Sequence, residues 1–117
     1  MLYTATAKYV RMSPRKVRLV ARAISGKRVD AALSSLSILS KAAAEPIRNV
    51  VESAVSGAKQ KKANIATLVI STIDVMGGPV MKRWHAVSRG TAHSYKKRMT
   101  HIKVVLSDTL QEGTIRA

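Results

Sequence analysis

A chain of 117 residues is long enough for one domain with a modest core and too short for two. Hydrophobic residues make up 46% of it, which excludes a disordered basic tail, and the absence of cysteine excludes disulfides, thiolate metal sites and a cysteine nucleophile. Twenty-one Lys and Arg face six Asp and Glu, a net charge of +15 that repels itself unless a polyanion neutralises it.

The elements follow in chain order. Residues 2–10 mix small, polar and apolar types with Tyr3, Tyr9 and Val10, and read as a strand. Ser13-Pro14 then signals a helix start, with serine as cap and proline at the first helical position, where its missing N–H has no partner to lose. The helical period runs from Pro14 to Ser25 and Gly26 supplies the exit. On this helix Val17, Val20, Ala21 and Ile24 share one face, while Arg15, Arg18 and Arg22 form a separate charged stripe. Leu19 falls outside the apolar arc.

A second helix is predicted from about Val29 to Leu39, with Ala32, Leu33 and Leu36 as its apolar face. A third, capped by Ser40, runs to about Lys62, and Ile47, Val50, Val51, Ala54, Val55 and Ala58 make its stripe. Pro46 is awkward inside such a helix, so the helix either bends or begins near Pro46. Thr67–Met76 and Thr100–Leu106 read as strands. Between them, Gly77-Gly78-Pro79 marks a bulge or bend, and a hairpin arm over 77–101 extends beyond the sheet to a tip near Ser88–Ala92. The tail, 107–117, is expected to fray.

Charge concentrates in two places. Lys8, Arg11, Arg15, Lys16, Arg18, Arg22, Lys27 and Arg28 precede the first acid, Asp30. Lys82, Arg83, Arg89, Lys96, Lys97, Arg98 and Lys103 lie in the acid-free span between Asp74 and Asp108, together with Trp84, Tyr95, His85, His93 and His101. Cations mixed with flat rings suit RNA, because phosphates take the charge while exposed bases stack on rings or guanidinium planes. A scattered distribution would read as a solvated surface; two acid-free clusters read as contacts to nucleic acid.

Specific motifs sharpen this. Lys8-Tyr9-Val10-Arg11-Met12-Ser13-Pro14-Arg15-Lys16-Val17-Arg18-Leu19-Val20 resembles the signature opening of the large-subunit ribosomal protein twenty-two family, of bacterial and organellar type. Gly78-Pro79-Val80-Met81-Lys82-Arg83-Trp84, Ser88-Arg89-Gly90 and Lys97-Arg98-Met99-Thr100-His101-Ile102 resemble that family's hairpin and return strand. The resemblance runs from about Ala5 to Leu106.

It implies an α+β fold: three helices packed on a small antiparallel three-stranded sheet, with a long extended β-hairpin. It also implies a structural role in the cytoplasmic ribosome. There the domain would bind and organise large-subunit rRNA beside neighbouring large-subunit ribosomal proteins. Arg11, Ser13, Arg15, Lys16 and Arg18 would be the RNA-facing first helix and its cap; Lys82, Arg83, Arg89, Gly90, Lys97, Arg98 and His101 would belong to the arm. Lys8, Arg22, Trp84 and Lys96 join the RNA-binding set from the clusters themselves. The tip, His85, Ala86, Val87, Ser88, Arg89, Gly90 and Thr91, would reach the wall of the polypeptide exit tunnel and the nascent chain. Here the sequence departs from the family pattern, with less arginine and no proline at the tip.

Other classes fare worse. His85, His93 and His101 invite a metal or acid–base reading, yet no carboxylate is near in sequence to orient them, and no phosphate loop or Ser/His/Asp order is present. No catalytic residue, metal ligand or cofactor is therefore assigned. A DNA-bending architectural protein also pairs helices with basic ribbons, but Ala86 and Val87 make poor wedges. No apolar run approaches the roughly 20 residues of a membrane span, the start MLYTATAKYV lacks signal-peptide character, and no membrane contact is expected. The stripe on the third helix can close a monomeric core, so no homo-oligomer is expected either.

Overall fold

The structure, a computed structural model, describes residues 1–108. Three strands form one antiparallel sheet in the order β1-β3-β2, with β1 at Leu2–Val10, β2 at Val69–Ala86 and β3 at Ala92–Ser107. Three helices, α1 (Pro14–Ile24), α2 (Val29–Ile38) and α3 (Ala44–Gln60), intervene between β1 and β2 and join the sheet in one core. This is the α+β arrangement expected from the resemblance.

Each helix is placed by the face it buries. Val17, Val20, Ala21 and Ile24 of α1 are buried, as the spacing predicts, and Leu19 stays exposed. All six residues of the α3 stripe are buried, and Ala43 and Ala44 extend it toward the N-terminus. Against them, β3 alternates strictly: Thr100, Ile102, Val104 and Leu106 are buried, while His101, Lys103 and Val105 face the other way. The helices thus cover one face of the sheet; on the opposite face His101, Lys103 and Val105 are half-buried, and Ser107 with its partner Val69, at the end away from the arm, is buried.

One helix cap differs from expectation, and the start of the third helix is decided between two alternatives. Ser13 occupies the cap of α1, but its side chain makes no capping bond; its backbone carbonyl accepts from the Val17 N–H at 3.3 Å. α3 starts at Ala44 rather than after Ser40, so Pro46 is its third residue. The first four N–H groups of a helix have no intrahelical acceptor, and a proline there removes nothing. The helix begins near Pro46 and loses no bond on its account.

The link between α1 and α2 closes the outer edge of β2. Gly26 N–H donates to the Ile70 carbonyl at 3.1 Å, Ile70 N–H returns to Lys27 at 3.0 Å, and Val29 N–H donates to Leu68 at 3.1 Å. Gly26 takes φ +79° to make the turn, a conformation that favours glycine.

Beyond the helices, β2 and β3 continue as a two-stranded ribbon. The register steps from Gly77↔Thr100 to Val80↔Arg98, so Gly78 and Pro79 bulge opposite Met99. Pairing then runs unbroken to Ala86↔Ala92. The described residues extend 63 × 24 × 21 Å, and the Cα radius of gyration of 16.9 Å exceeds the roughly 13 Å of a compact chain of this length. Ser107, assigned to the tail from sequence, ends β3 and is buried; the fraying expected further on falls on 109–117, outside the described residues.

Candidate nucleic-acid interface

The first basic cluster sits where β1 hands over to α1. Lys8 and Arg11 are exposed at the end of the strand and in the turn after it. Arg15, Lys16 and Arg22 are exposed on α1, but Arg18 is half-buried, and its guanidinium donates to the Val75 carbonyl oxygen at 3.3 Å. Arg18 therefore ties α1 to β2 as well as carrying charge. Ser13 is half-buried at the helix start.

The second cluster is sorted by strand alternation into two faces of the arm. Lys82 opposes Lys96, Trp84 opposes Ser94 and Val80 opposes Arg98 on one face. Arg83 opposes Tyr95, His85 opposes His93 and Met81 opposes Lys97 on the other. The His85 ring stacks on Tyr95 with centroids 3.9 Å apart, and the Lys97 ammonium lies 5.9 Å from the Tyr95 centroid. These contacts are slight for a ribbon with no core. Lys82 directly across from Lys96 is a like-charge pair that weakens the ladder, and Trp84 is 70% exposed.

At the tip, Arg89 and Gly90 both take positive φ, +61° and +68°. Two successive left-handed residues suit the right-handed twist of a ribbon. The turn is closed by the Val87 N–H on the Thr91 carbonyl at 3.0 Å. The sequence singles out Gly90 for this; the left-handed Arg89 carries no sequence signal. His85, Ala86, Ser88, Arg89, Gly90 and Thr91 are exposed, with Val87 half-buried.

Folding brings the two clusters together. A cleft of about 720 Å³ opens between the start of α1, the α2–α3 link and the base of the arm. Arg11, Lys16, Lys41, Lys96, Lys97 and Arg98 line it, and no acidic residue does. Exposed Leu19 lies at its wall. Six cations around one cleft match a polyanion that bends or branches, with phosphates on more than one side. Lys41 was missed by sequence reasoning because it stands alone between α2 and α3, with no cluster to mark it.

The remaining sequence candidates are not drawn into this cleft. Arg22, Lys82, Arg83, Trp84 and Arg89 are exposed elsewhere on α1 and along the arm. His85 and His93 face each other across the ribbon, whereas His101 lies at its foot, in register with Met76. Among the described residues, no three His, Asp or Glu side chains gather as a metal would require. No described helix is long and apolar enough to cross a membrane.

Known proteins resemble the chain over most of its length. The profile of a family described as ribosomal protein L22p/L17e matches residues 5–107. The protein called large ribosomal subunit protein uL22 in Myxococcus xanthus (strain DK1622) is 40% identical over 108 residues, spanning 90% of this chain and 95% of that one. Its namesake in Syntrophus aciditrophicus (strain SB) is 44% identical over 105 residues, with 89% and 96% covered. That of Desulfatibacillum aliphaticivorans is 42% identical over 106 residues, with 91% and 98% covered. On the match across nearly its whole length, the chain belongs to the ribosomal protein L22p/L17e family.

Proposed function

We propose that the protein is a non-enzymatic structural constituent of the large subunit of the cytoplasmic ribosome, where it binds and organises rRNA. The observation that carries this reading is the convergence of two distant basic clusters on one acid-free cleft. The globular part docks by phosphate contacts from α1, the α2–α3 link and the arm base. The arm, over 77–101, becomes ordered as RNA folds around it, since a cationic ribbon without a core gains little from its own contacts. Phosphate contacts position a protein without reading sequence, so specificity comes from the shape of the RNA. The arm tip, His85–Thr91, reaches the wall of the exit tunnel and meets the nascent chain. Neighbouring large-subunit proteins complete the surroundings, and the protein works as a single copy.

A tagged copy sedimented from lysate through a sucrose gradient tests this. Co-sedimentation with large subunits that survives a high-salt wash is the expected result. A protein found at the top of the gradient, or with the nucleoid, would overturn the reading in favour of a DNA-architectural one.

A further inference from the structure

Two bulges flank the same stretch of β3. On the β2 side Gly78 and Pro79 oppose Met99; on the β1 side the register steps from Ala7↔Ile102 to Val10↔Thr100, so Lys8 and Tyr9 together oppose His101. Tyr9 takes φ +60° there, a left-handed conformation that disfavours a tyrosine. Such a residue persists only where its surroundings hold it. His101 does so twice: its Nδ1 accepts the Tyr9 N–H at 3.1 Å, and its ring meets the Tyr9 ring edge-on, with centroids 5.1 Å apart. Gly78 leaves the room that the ring occupies, since a Cβ there would come within 3.3 Å of the His101 Cε1.

The result is a fixed aromatic ring with its surface still free. Tyr9 remains 61% exposed although both its backbone and one ring edge are engaged. It lies beside His101 on the sheet face opposite the helices, at the end of that face nearest the arm. Alternation puts Lys8 and Lys103 on that face too, and Arg11 follows two residues on. Asp74, in register with Lys103, is the acid nearest this group along the sheet. A rigid, exposed ring rimmed by cations is what an unstacked base and its phosphates require.

We infer that the arm end of the sheet face opposite the helices is a second RNA surface, on which Tyr9, held by His101, is the stacking platform for an unpaired nucleobase. This rests on the RNA-binding role proposed above and adds a subsite next to the cationic cleft, with Arg11, which lines that cleft, between the two.

The test compares wild type with Tyr9→Leu and Tyr9→Phe for binding to transcribed large-subunit rRNA over a range of salt concentrations. Thermal melts of each free protein accompany the titrations. Tyr9→Leu keeps the bulk and loses the ring, so affinity should fall about 5- to 100-fold, and Tyr9→Phe should stay within about twofold of wild type. The salt slope should be the same for all three, because no charge has changed. Short-wavelength ultraviolet irradiation of the wild-type complex should join Tyr9 to a base, a product a merely structural tyrosine would not give. Leu binding like wild type, Phe losing as much as Leu, or no adduct at Tyr9 would each overturn the platform while leaving the cleft intact. Failure of the wild-type protein to bind rRNA would instead bring down the ribosomal reading and this inference with it.

Discussion

Arg18 is half-buried on α1 and donates to the Val75 carbonyl, whereas Arg15, one turn earlier on the same charged stripe, is exposed. The two arginines should therefore fail differently. Arg18→Ala loses a charge-assisted bond and the packing of its stem, and should lower unfolding free energy by about 1–2 kcal/mol in urea titrations. Arg15→Ala should leave stability within about 0.5 kcal/mol. Its effect should appear in RNA binding, where the slope of log affinity against log salt shrinks by about 0.7–0.9 per phosphate contact removed. Thr100 makes a related point inside the core. It is fully buried, and its hydroxyl donates to the Met12 carbonyl at 2.6 Å, fastening the β1–α1 joint to β3. Thr100→Val keeps the shape but strands that carbonyl, and chemical unfolding should show a loss of about 1–2 kcal/mol.

The paired glycines of the β2 bulge have unequal jobs at the scale of the element. A Cβ on Gly78 would approach the Met99 backbone at 3.2 Å, while one on Gly77 would meet nothing within 4 Å. Gly78→Ala requires the Met99 backbone and the His101 ring to give by a few tenths of an ångström, and should cost about 1 kcal/mol by the rule for overpacked sites. Gly77→Ala should be neutral or stabilising by up to about 1 kcal/mol, through the narrower unfolded ensemble. Parallel thermal melts of the two variants check both. The Gly-Gly-Pro triplet announces a bulge in the sequence but not which glycine is indispensable, because that depends on what lies across the strand. The same distinction governs what else was legible. The burial of α1 and α3 could be read from spacing, since a helix carries its periodicity within itself. The bulge at Lys8–Tyr9 could not: a bulge is a property of a register between two strands, and Ala7 and Ile102 are 95 positions apart. The two basic clusters were legible as runs, yet their meeting in one cleft, and the recruitment of Lys41, came only from tertiary packing.

For the whole molecule, charge and shape act on stability and binding in opposite directions. Only two ion pairs join the described residues, Met1 with Asp108 and Arg48 with Glu52, both at the surface. The net charge of +15 already subtracts all six acids, so the surplus cations have no carboxylate in the chain to offset them. Drawing it out along a 63 Å body eases the repulsion, but Lys82 and Lys96 still face each other and six cations still crowd one cleft. Salt shortens the reach of that repulsion, from about 10 Å at 0.1 M to about 3 Å at 1 M. The free protein should therefore melt at a higher temperature as sodium chloride rises over that range, because the folded state concentrates like charges that the unfolded chain spreads apart. Affinity for rRNA should fall over the same range, since each counterion released into a saltier bulk gains less entropy. Calorimetry of the free protein beside a binding titration in matched buffers reads both slopes. Opposite signs are expected; a melting temperature that falls with salt would mean that attractive pairs, rather than repulsion, dominate the free protein, and that it is not held ready for a polyanion.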